Sequence, residues 1–513
     1  MPLRKRRFTA DSIVLCNSRL KILNLNKQAS GLFQPFCIVT PSFMVDFFDA
    51  ATTDEDSPDI EDFPGYEGRR RKAALILVTF WSATLVLHIS PWGSWLVWGL
   101  IVLMVSYIIR VLLAQPLEPP SPLPSSRGER VLIESESVPD GANQGHDWPF
   151  VSILVAAKNE ESVITKLVDA LCALDYPVSR YDLWMIDDNS SDRTPQILDR
   201  LVVQYPQLNV VHRDGEATGG KSGALNQVWP CTQGDVLVVF DADAKVPNDL
   251  LRRVVPMFEQ PNLGAVQVRK AISNAATNFW TRGQQAEMAL DTFFQKQRIA
   301  IGGIGELRGN GQFVRRQALA QSGGWNEATI TDDLDLTIRL HTGGWNIQFL
   351  VHPAVGEEGV TQPMALWHQR NRWAEGGYQR YLDYWRLIIS NRMGLTKTLD
   401  LSVFWIIQYG LPLVALPDFW LSLVLGRLPI FLPISGLAFG LSLVGMYQGL
   451  RRTHPHLSSL QATTQTLRGT LYMLHWLLVI AMVTLRLSVR PKRLRWVKTT
   501  HIGLEDEFQM DAS

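Results

Sequence analysis

The stretch Gly234-Asp-Val-Leu-Val-Val-Phe-Asp241-Ala-Asp243 runs five apolar, mostly β-branched residues straight into two aspartates. That pattern fits a strand buried in a parallel sheet and ending in a carboxylate pair. In an open α/β sheet, ligands bind beyond the carboxyl ends of the strands. A pair placed there can hold a divalent cation and the phosphates it carries. Asp241 and Asp243 can equally cap a helix beginning near Pro247, and the strand alone leaves both readings open.

Outward from this strand, the grammar is alternating strand and helix. Val151-Ser-Ile-Leu-Val-Ala-Ala157 reads as a strand and 160–174 as a helix. Residues 181–186 form the next strand, ending in Asp187-Asp-Asn-Ser-Ser-Asp192, after which Thr194-Pro195 opens a helix. A short strand at 208–212 and a helix at 222–228 lead back to the opening stretch. This alternation predicts a mostly parallel, doubly wound α/β sheet with right-handed crossovers. It also places the acids at 187–188 and 241–243 on one edge of that sheet.

The rest of the chain is apolar or irregular. Arg69-Arg-Arg-Lys72 precedes an apolar run over 73–90, and a second run reaches residue 114 after Pro91-Trp-Gly-Ser94. Each is long enough to cross a bilayer, and the positive cluster puts the preceding chain in the cytoplasm. The domains expected are therefore a transmembrane hairpin at 73–114, a Pro/Ser-rich linker at 115–147, a cytoplasmic α/β domain at 148–396 and a C-terminal membrane region at 397–489. Residues 1–72 carry little readable structure, apart from the acidic patch Asp54-Glu-Asp-Ser-Pro-Asp59. The segment before Met44 fits nothing downstream, so Met44 is a second candidate start. Residues 490–513 form a basic, then acidic tail.

Three C-terminal spans are expected, at 399–426, 428–450 and 470–489, making five in all. An odd total would put the basic tail Arg490-Pro-Lys-Arg-Leu-Arg495 outside. Either one run is re-entrant or interfacial or the longest hides two crossings, and Asp400, Pro412 and Pro417-Asp418 make the first run the suspect. Residues 384–393 mix apolar and basic side chains at helical spacing, which fits either a membrane-surface helix or an ordinary domain helix. The 17 Trp concentrate in and beside the apolar runs, as at a membrane interface. The formal net charge is zero, which argues against a nucleic-acid partner. Four cysteines without CxxC spacing and ten dispersed histidines point to no zinc site or disulfide framework.

One motif invites a different reading. Gly215-Glu-Ala-Thr-Gly-Gly-Lys221-Ser222 matches the phosphate-loop pattern G-x-x-x-x-G-K-[ST]. Against a P-loop nucleotide-binding membrane protein, the strand before it ends in the polar run His212-Arg-Asp214 instead of entering the loop. Only one short helix fits before the next strand, and the acids at 187–188 stay unexplained. Lys221, in a glycine-rich turn at a sheet edge, still suits an anionic ligand.

Further along, Gly302-Gly-Ile-Gly-Glu-Leu-Arg-Gly-Asn-Gly311 lets backbone approach a bulky ligand. Thr331-Asp332-Asp333-Leu-Asp-Leu336 opens a helix, and Gln369-Arg-Asn-Arg372-Trp373 gathers amide, guanidinium and indole within about a turn. Singly, these are also helix-start acids favoured by the dipole and a surface helix with a buried Trp.

Together, Asp187-Asp188, Asp241-Ala-Asp243, Thr331-Asp332-Asp333 and Gln369-Arg-Asn-Arg372-Trp373 resemble the D, DxD, (T)ED and QxxRW signatures of membrane-embedded family 2 glycosyltransferases with a GT-A fold. Gly220-Lys-Ser-Gly-Ala-Leu-Asn226 is similar to that family's G-K-x-x-A-L-N segment. The likeness covers roughly 150–375. Within the family, Gly68-Arg-Arg-Arg-Lys-Ala-Ala74, the hairpin after it and the short C-terminal membrane region look most like the cyanobacterial β-monoglucosyldiacylglycerol synthases. Asp332 stands where the family usually has Glu, keeping the charge on a shorter arm.

The resemblance implies an inverting transfer of glucose from UDP-glucose to the hydroxyl of 1,2-diacylglycerol. Asp187 and Asp188 would contact the uridine, with Lys221 helping to hold it. Asp241 and Asp243 would bind Mg²⁺ or Mn²⁺ across the diphosphate. Gln369 and Arg372 would complete the donor site, and Trp373 would pack by the acceptor. Asp333 would be the general base. A processive β-polysaccharide synthase is the alternative within the family, although a polymer channel generally needs more than five spans. A silent scaffold or transporter is the alternative outside it, but a transporter should carry paired charges within its spans, and the few here, Asp400, Asp418 and Arg427, lie near span ends or prolines.

Overall fold

The computed structural model describes residues 68–125 and 148–489. The candidate start at Met44, the acidic patch, the later linker and the basic tail lie outside the described residues. Helices α1 (Arg69–Ile89) and α2 (Gly93–Leu113) form the hairpin. An α/β domain follows: β1 (Val151–Ala157), α3 (Ile164–Cys172), β2 (Tyr181–Asp187), α4 (Thr194–Gln204), β3 (Leu208–His212), α5 (Gly220–Val228) and β4 (Val236–Phe240). It continues with α6 (Leu250–Val254), β5 (Leu263–Ile272), α7 (Phe279–Ala300), β6 (Gln312–Arg315), α8 (Arg316–Ser322), α9 (Asp332–Thr342), β7 (Asn346–Glu357) and α10 (Pro363–Ile389).

The seven strands form one sheet in the order β3-β2-β1-β4-β6-β5-β7. β1 pairs in parallel with both β2 and β4, with Ala157 opposite Asp187 and Val155 opposite Phe240. The chain therefore steps outward from β1 to β3, then crosses back to β4, leaving a switch-point crevice beside β1. Every residue of β4 is buried. Val236, Val238 and Phe240 join a core with α3, α4 and α6, whereas Leu237 and Val239 join one with α5, α8 and α9. Each such side chain contributes roughly 1.5–3 kcal/mol on burial. A run without polar alternation follows because both faces are covered.

The sheet is mixed at one point. β6 runs antiparallel to β4 and β5. The glycine-rich segment before it passes along the carboxyl edge, where Gly311 N–H donates to Val239 O at 3.0 Å. The strand leaving that edge has to run back.

Beyond α10, helices α11 (Leu395–Trp405) and α12 (Leu411–Leu425) join through the π-helical turn Ile406–Gly410. Then come α13 (Leu432–Thr453), α14 (Ser459–Met473) and α15 (His475–Val489). Among the described residues, four helices are long and apolar enough to cross a membrane: Arg69–Ile89, Gly93–Leu113, Leu395–Leu425 and Ser459–Val489. The suspected run at 399–426 meets that test, and the expected span at 428–450 is the one outside it. Glycine, serine and arginine lower the apolar character of α13, and its glycines let it lie on α7. A Cβ at Gly449 would stand 2.0 Å from Ala289 O.

The two acids that break the third apolar helix, Asp400 and Asp418, are bonded. Asp400 accepts from Arg298 at 2.9 Å, Tyr107 at 2.9 Å and Ile304 N–H at 3.0 Å. Asp418 meets His88 at 2.7 Å and the N–H groups of Ile430 and Phe431. Residues 384–389 are the end of α10 and expose Trp385 and Ile389. The first part of the linker is bonded along the domain, with Leu123 N–H donating to Arg252 O at 2.9 Å.

Candidate active site

Beyond the carboxyl ends of β1 and β4 lies a cleft of about 610 Å³, within the usual range for small-molecule sites. Lys158, Asp188, Lys221, Asp241 and Asp243 line one end. Phe404, Ile407, Phe439, Met446, Leu477 and Ile480, all from the helices after α10, line the other. Asp332, Asp333, Gln369, Arg372 and Trp373 lie on the same wall system. Of the residues singled out from sequence, Asp187 alone does not line the cleft.

Asp187 is buried and fixes its own edge. His212 contacts it at 3.0 Å and Ser190 N–H donates to it at 3.1 Å. Burial pushes the Asp187 carboxyl up, but these partners win and hold it below the usual range. Asp188 accepts from Arg213, which also donates to Thr218 O and Gly220 O. The polar run His212-Arg213 thus orders both acids of β2, a role that sequence reasoning missed. The same bonds shape the glycine turn beside edge strand β3. Lys221 stands on the first turn of α5 and reaches Asp241 at 2.5 Å. Burial opposes its charge, but Asp241 and then Asp332 hold its ammonium above the ordinary value.

The strand end is equally ordered. Asp241 N–H donates to Asn310 Oδ1 at 3.2 Å, and Asp243 Oδ2 accepts from Glu358 N–H at 3.1 Å. No group of three or more potential ligands from His, Cys, Asp and Glu is present among the described residues. Two carboxylates are what a metal shared with substrate phosphates takes from a protein, phosphate oxygens and water completing the shell. The donor set fits such an ion and not a dedicated cage.

Three acids occupy the first turn of α9, where the helix dipole favours them. Asp335 is buried and structural, bonded to Asn326, Arg339 and Tyr384. Asp332 and Asp333 face the cleft. Burial and then neighbouring Asp332 push the Asp333 carboxyl up to about 6. Burial also raises Asp332, partly offset by Lys221. Gly309, at φ +82°, brings its backbone past Asp333, and a Cβ there would lie 3.6 Å from Asp333 Oδ2.

On α10, Arg370 is fully buried, bonded to Glu287 at 2.5 Å and Tyr472 at 3.0 Å, and lies 4.1 Å from the Trp373 ring. Arg372 faces the cleft, where burial lowers its pKa against the pull of Asp241. Behind Asp333, Glu306 is fully buried beside Arg298, Arg308 and Arg380. Burial opposes its charge, but Arg380, Arg308 and Arg298 hold the carboxyl well below the usual range. Arg298 also grips Asp400, so this cluster ties the cleft to the apolar helices.

Residues 149–376 match the model for "Glycosyltransferase like family 2". The chain is 54% identical over 481 residues to the β-monoglucosyldiacylglycerol synthase of Synechocystis, covering 92% of this chain and 96% of the relative. The chain belongs to the family 2 glycosyltransferases. The corresponding Nostoc synthase is likewise 54% identical, over 89% of this chain and 94% of its own length. A solved mannosyltransferase from Pyrobaculum calidifontis, in complex with GDP-Man and Mn²⁺, aligns at 18% identity. The alignment covers 81% of this chain and 99% of that one, with a TM-score of 0.46. In this glycosyltransferase the P-loop look-alike is the turn that carries Lys221 to the charged end of the cleft, and it follows edge strand β3.

Proposed function

We propose that this glycosyltransferase moves glucose from UDP-glucose to the free hydroxyl of 1,2-diacylglycerol, with inversion, giving β-monoglucosyldiacylglycerol. The observation that carries the reading is the cleft itself. It joins five charged groups at the sheet edge to an apolar end built from the membrane-region helices. The names of the relatives supply the acceptor and the sugar.

Asp188 faces the uridine pocket, with buried Asp187 bracing the strand end behind it, and Lys221 exchanges its bond with Asp241 for one to the diphosphate. Asp241 and Asp243 would hold a Mg²⁺ or Mn²⁺ ion, whose chemistry is to neutralise charge building on the departing UDP. Arg372 adds a fixed positive charge to that leaving group, and Gln369 orients it. Asp333 takes the proton of the acceptor hydroxyl as that oxygen bonds to the anomeric carbon and the bond to UDP breaks. The transition state carries oxocarbenium character, as in glycoside hydrolysis. Trp373, packed against Arg370 and 5.1 Å from Lys270, bounds the acceptor side.

The same reading sets the topology. Four crossings return the chain to its starting side, and Arg69-Arg-Arg-Lys72 favours the cytoplasm there. The catalytic domain and basic tail then share the cytoplasmic face.

Membranes containing the protein, incubated with labelled UDP-glucose and a divalent metal and then extracted, test the proposal. A lipid carrying one glucose is expected. A labelled polymer would transfer the reading to a processive synthase, and the absence of label in either fraction would reject both.

A further inference from the structure

The mechanism above gives the acceptor hydroxyl a base but nothing to hold it on the way there. The cleft is also lined by the turn Ile406–Gly410, where Leu411 N–H bonds to Ile406 O five residues back. Such π-helical turns inside α-helices recur at functional sites. This one brings Ile407, Gln408 and Tyr409 to the cleft. Tyr409 fixes its position: its ring packs on Tyr378 at 5.2 Å and Tyr381 at 5.8 Å, and its hydroxyl donates to Ala374 O at 3.4 Å. The turn is thus clamped to α10 at the residue following Trp373.

Gln408 Oε1 is shielded from solvent and has no hydrogen-bond partner among the described residues. An amide oxygen left unmade in an apolar wall costs stability that a leucine there would not. Facing a ligand cleft, it matches a donor that arrives with the ligand. Diacylglycerol carries a single hydrogen-bond donor, its free hydroxyl, and two esters that only accept.

Resting on the proposed function, we propose that Gln408 is an acceptor-positioning residue. Its Oε1 takes the hydrogen bond of the incoming hydroxyl while the acyl chains lie along the apolar end, between Phe404, Phe439 and Leu477. In the step that leads into transfer, the hydroxyl exchanges this bond for one to Asp333. Because the contact belongs to the waiting complex and not to the transition state, its loss weakens acceptor binding and lowers the remaining barrier by the same amount, so KM and kcat rise together and kcat/KM is unchanged.

Full-length protein in mixed micelles, assayed with UDP-glucose and diacylglycerol, tests this. Gln408→Met should raise the KM for diacylglycerol about tenfold, the scale of one net hydrogen bond. Its kcat should rise by a similar factor, while kcat/KM for diacylglycerol and the KM for UDP-glucose stay within about twofold of wild type. Gln408→Glu, which keeps an accepting oxygen, should recover part of the loss. An unchanged acceptor KM in Gln408→Met, or an equal rise in both KM values, overturns the assignment. Should that variant fail to bind UDP, and so not be folded, Gln408→Ser, whose arm is too short to reach, carries the same comparison with the same two outcomes. A wild-type protein that glucosylates no diacylglycerol would instead reject the underlying function, before any variant is read.

Discussion

Asp241 and Asp243 stand at a strand end, one 2.5 Å from the Lys221 ammonium and the other bonded by Glu358 N–H. Asp332 and Asp333 open a helix at the same cleft, and burial with mutual repulsion pushes Asp333 up to about 6. Glu306, more deeply buried than either pair, stays ionised because three arginines surround it. Carboxylates of nearly the same chemistry are thereby divided by environment: a neighbouring cation favours the ionised form, which under the proposed function grips a metal and phosphate. An acid crowded by another acid is suited to taking up a proton and releasing it.

The sharpest way to break this comparison is Asp333→Asn. It should lower glucosyl transfer by about 10³-fold, within the range of general-base effects, while UDP binding measured by titration stays near wild type. Equal loss of both would make Asp333 a structural acid. Next in size, Asp243→Asn should raise the metal concentration needed for half-maximal activity by roughly 10–100-fold, a span seen even for partners of metal ligands. An unchanged metal response would remove it from the donor end. The smallest effect is in the pH profile. A base must be ionised to act, so transfer should fall about tenfold per unit below about pH 6 and level off above it. In the Asp333→Asn variant that limb should vanish from the residual rate.

Much of the charged end was legible because it obeys local rules. The strand runs 151–157, 208–212 and 236–240 emerge with those bounds, and in 236–240, covered on both faces, burial shows as an unbroken apolar run. The acids at their ends follow from topology. The half of the sheet made by β5, β6 and β7 was not legible, because β6 has four residues and its direction is set by the loop before it. His212 and Arg213 looked like a polar interruption, yet they order Asp187 and Asp188 from across the sheet edge. The same limit hid Glu306: its partners at 298, 308 and 380 meet only in three dimensions. The span count changed as well. The glycines, serines and arginines of α13 leave it less apolar than a spanning helix, and its glycines press it against α7.

The two-ended lining of the cleft has a kinetic consequence under the proposed function. One substrate arrives through water and the other through the plane of the bilayer, so they are counted on different scales. UDP-glucose acts through its concentration per volume, and diacylglycerol through its mole fraction among neighbouring lipids. Diluting the membranes should leave saturation by the lipid unchanged, whereas thinning the lipid within them should not. The enzyme is thereby a gauge of membrane composition, adding head groups at a rate set by how crowded its own leaflet is with bare diacylglycerol.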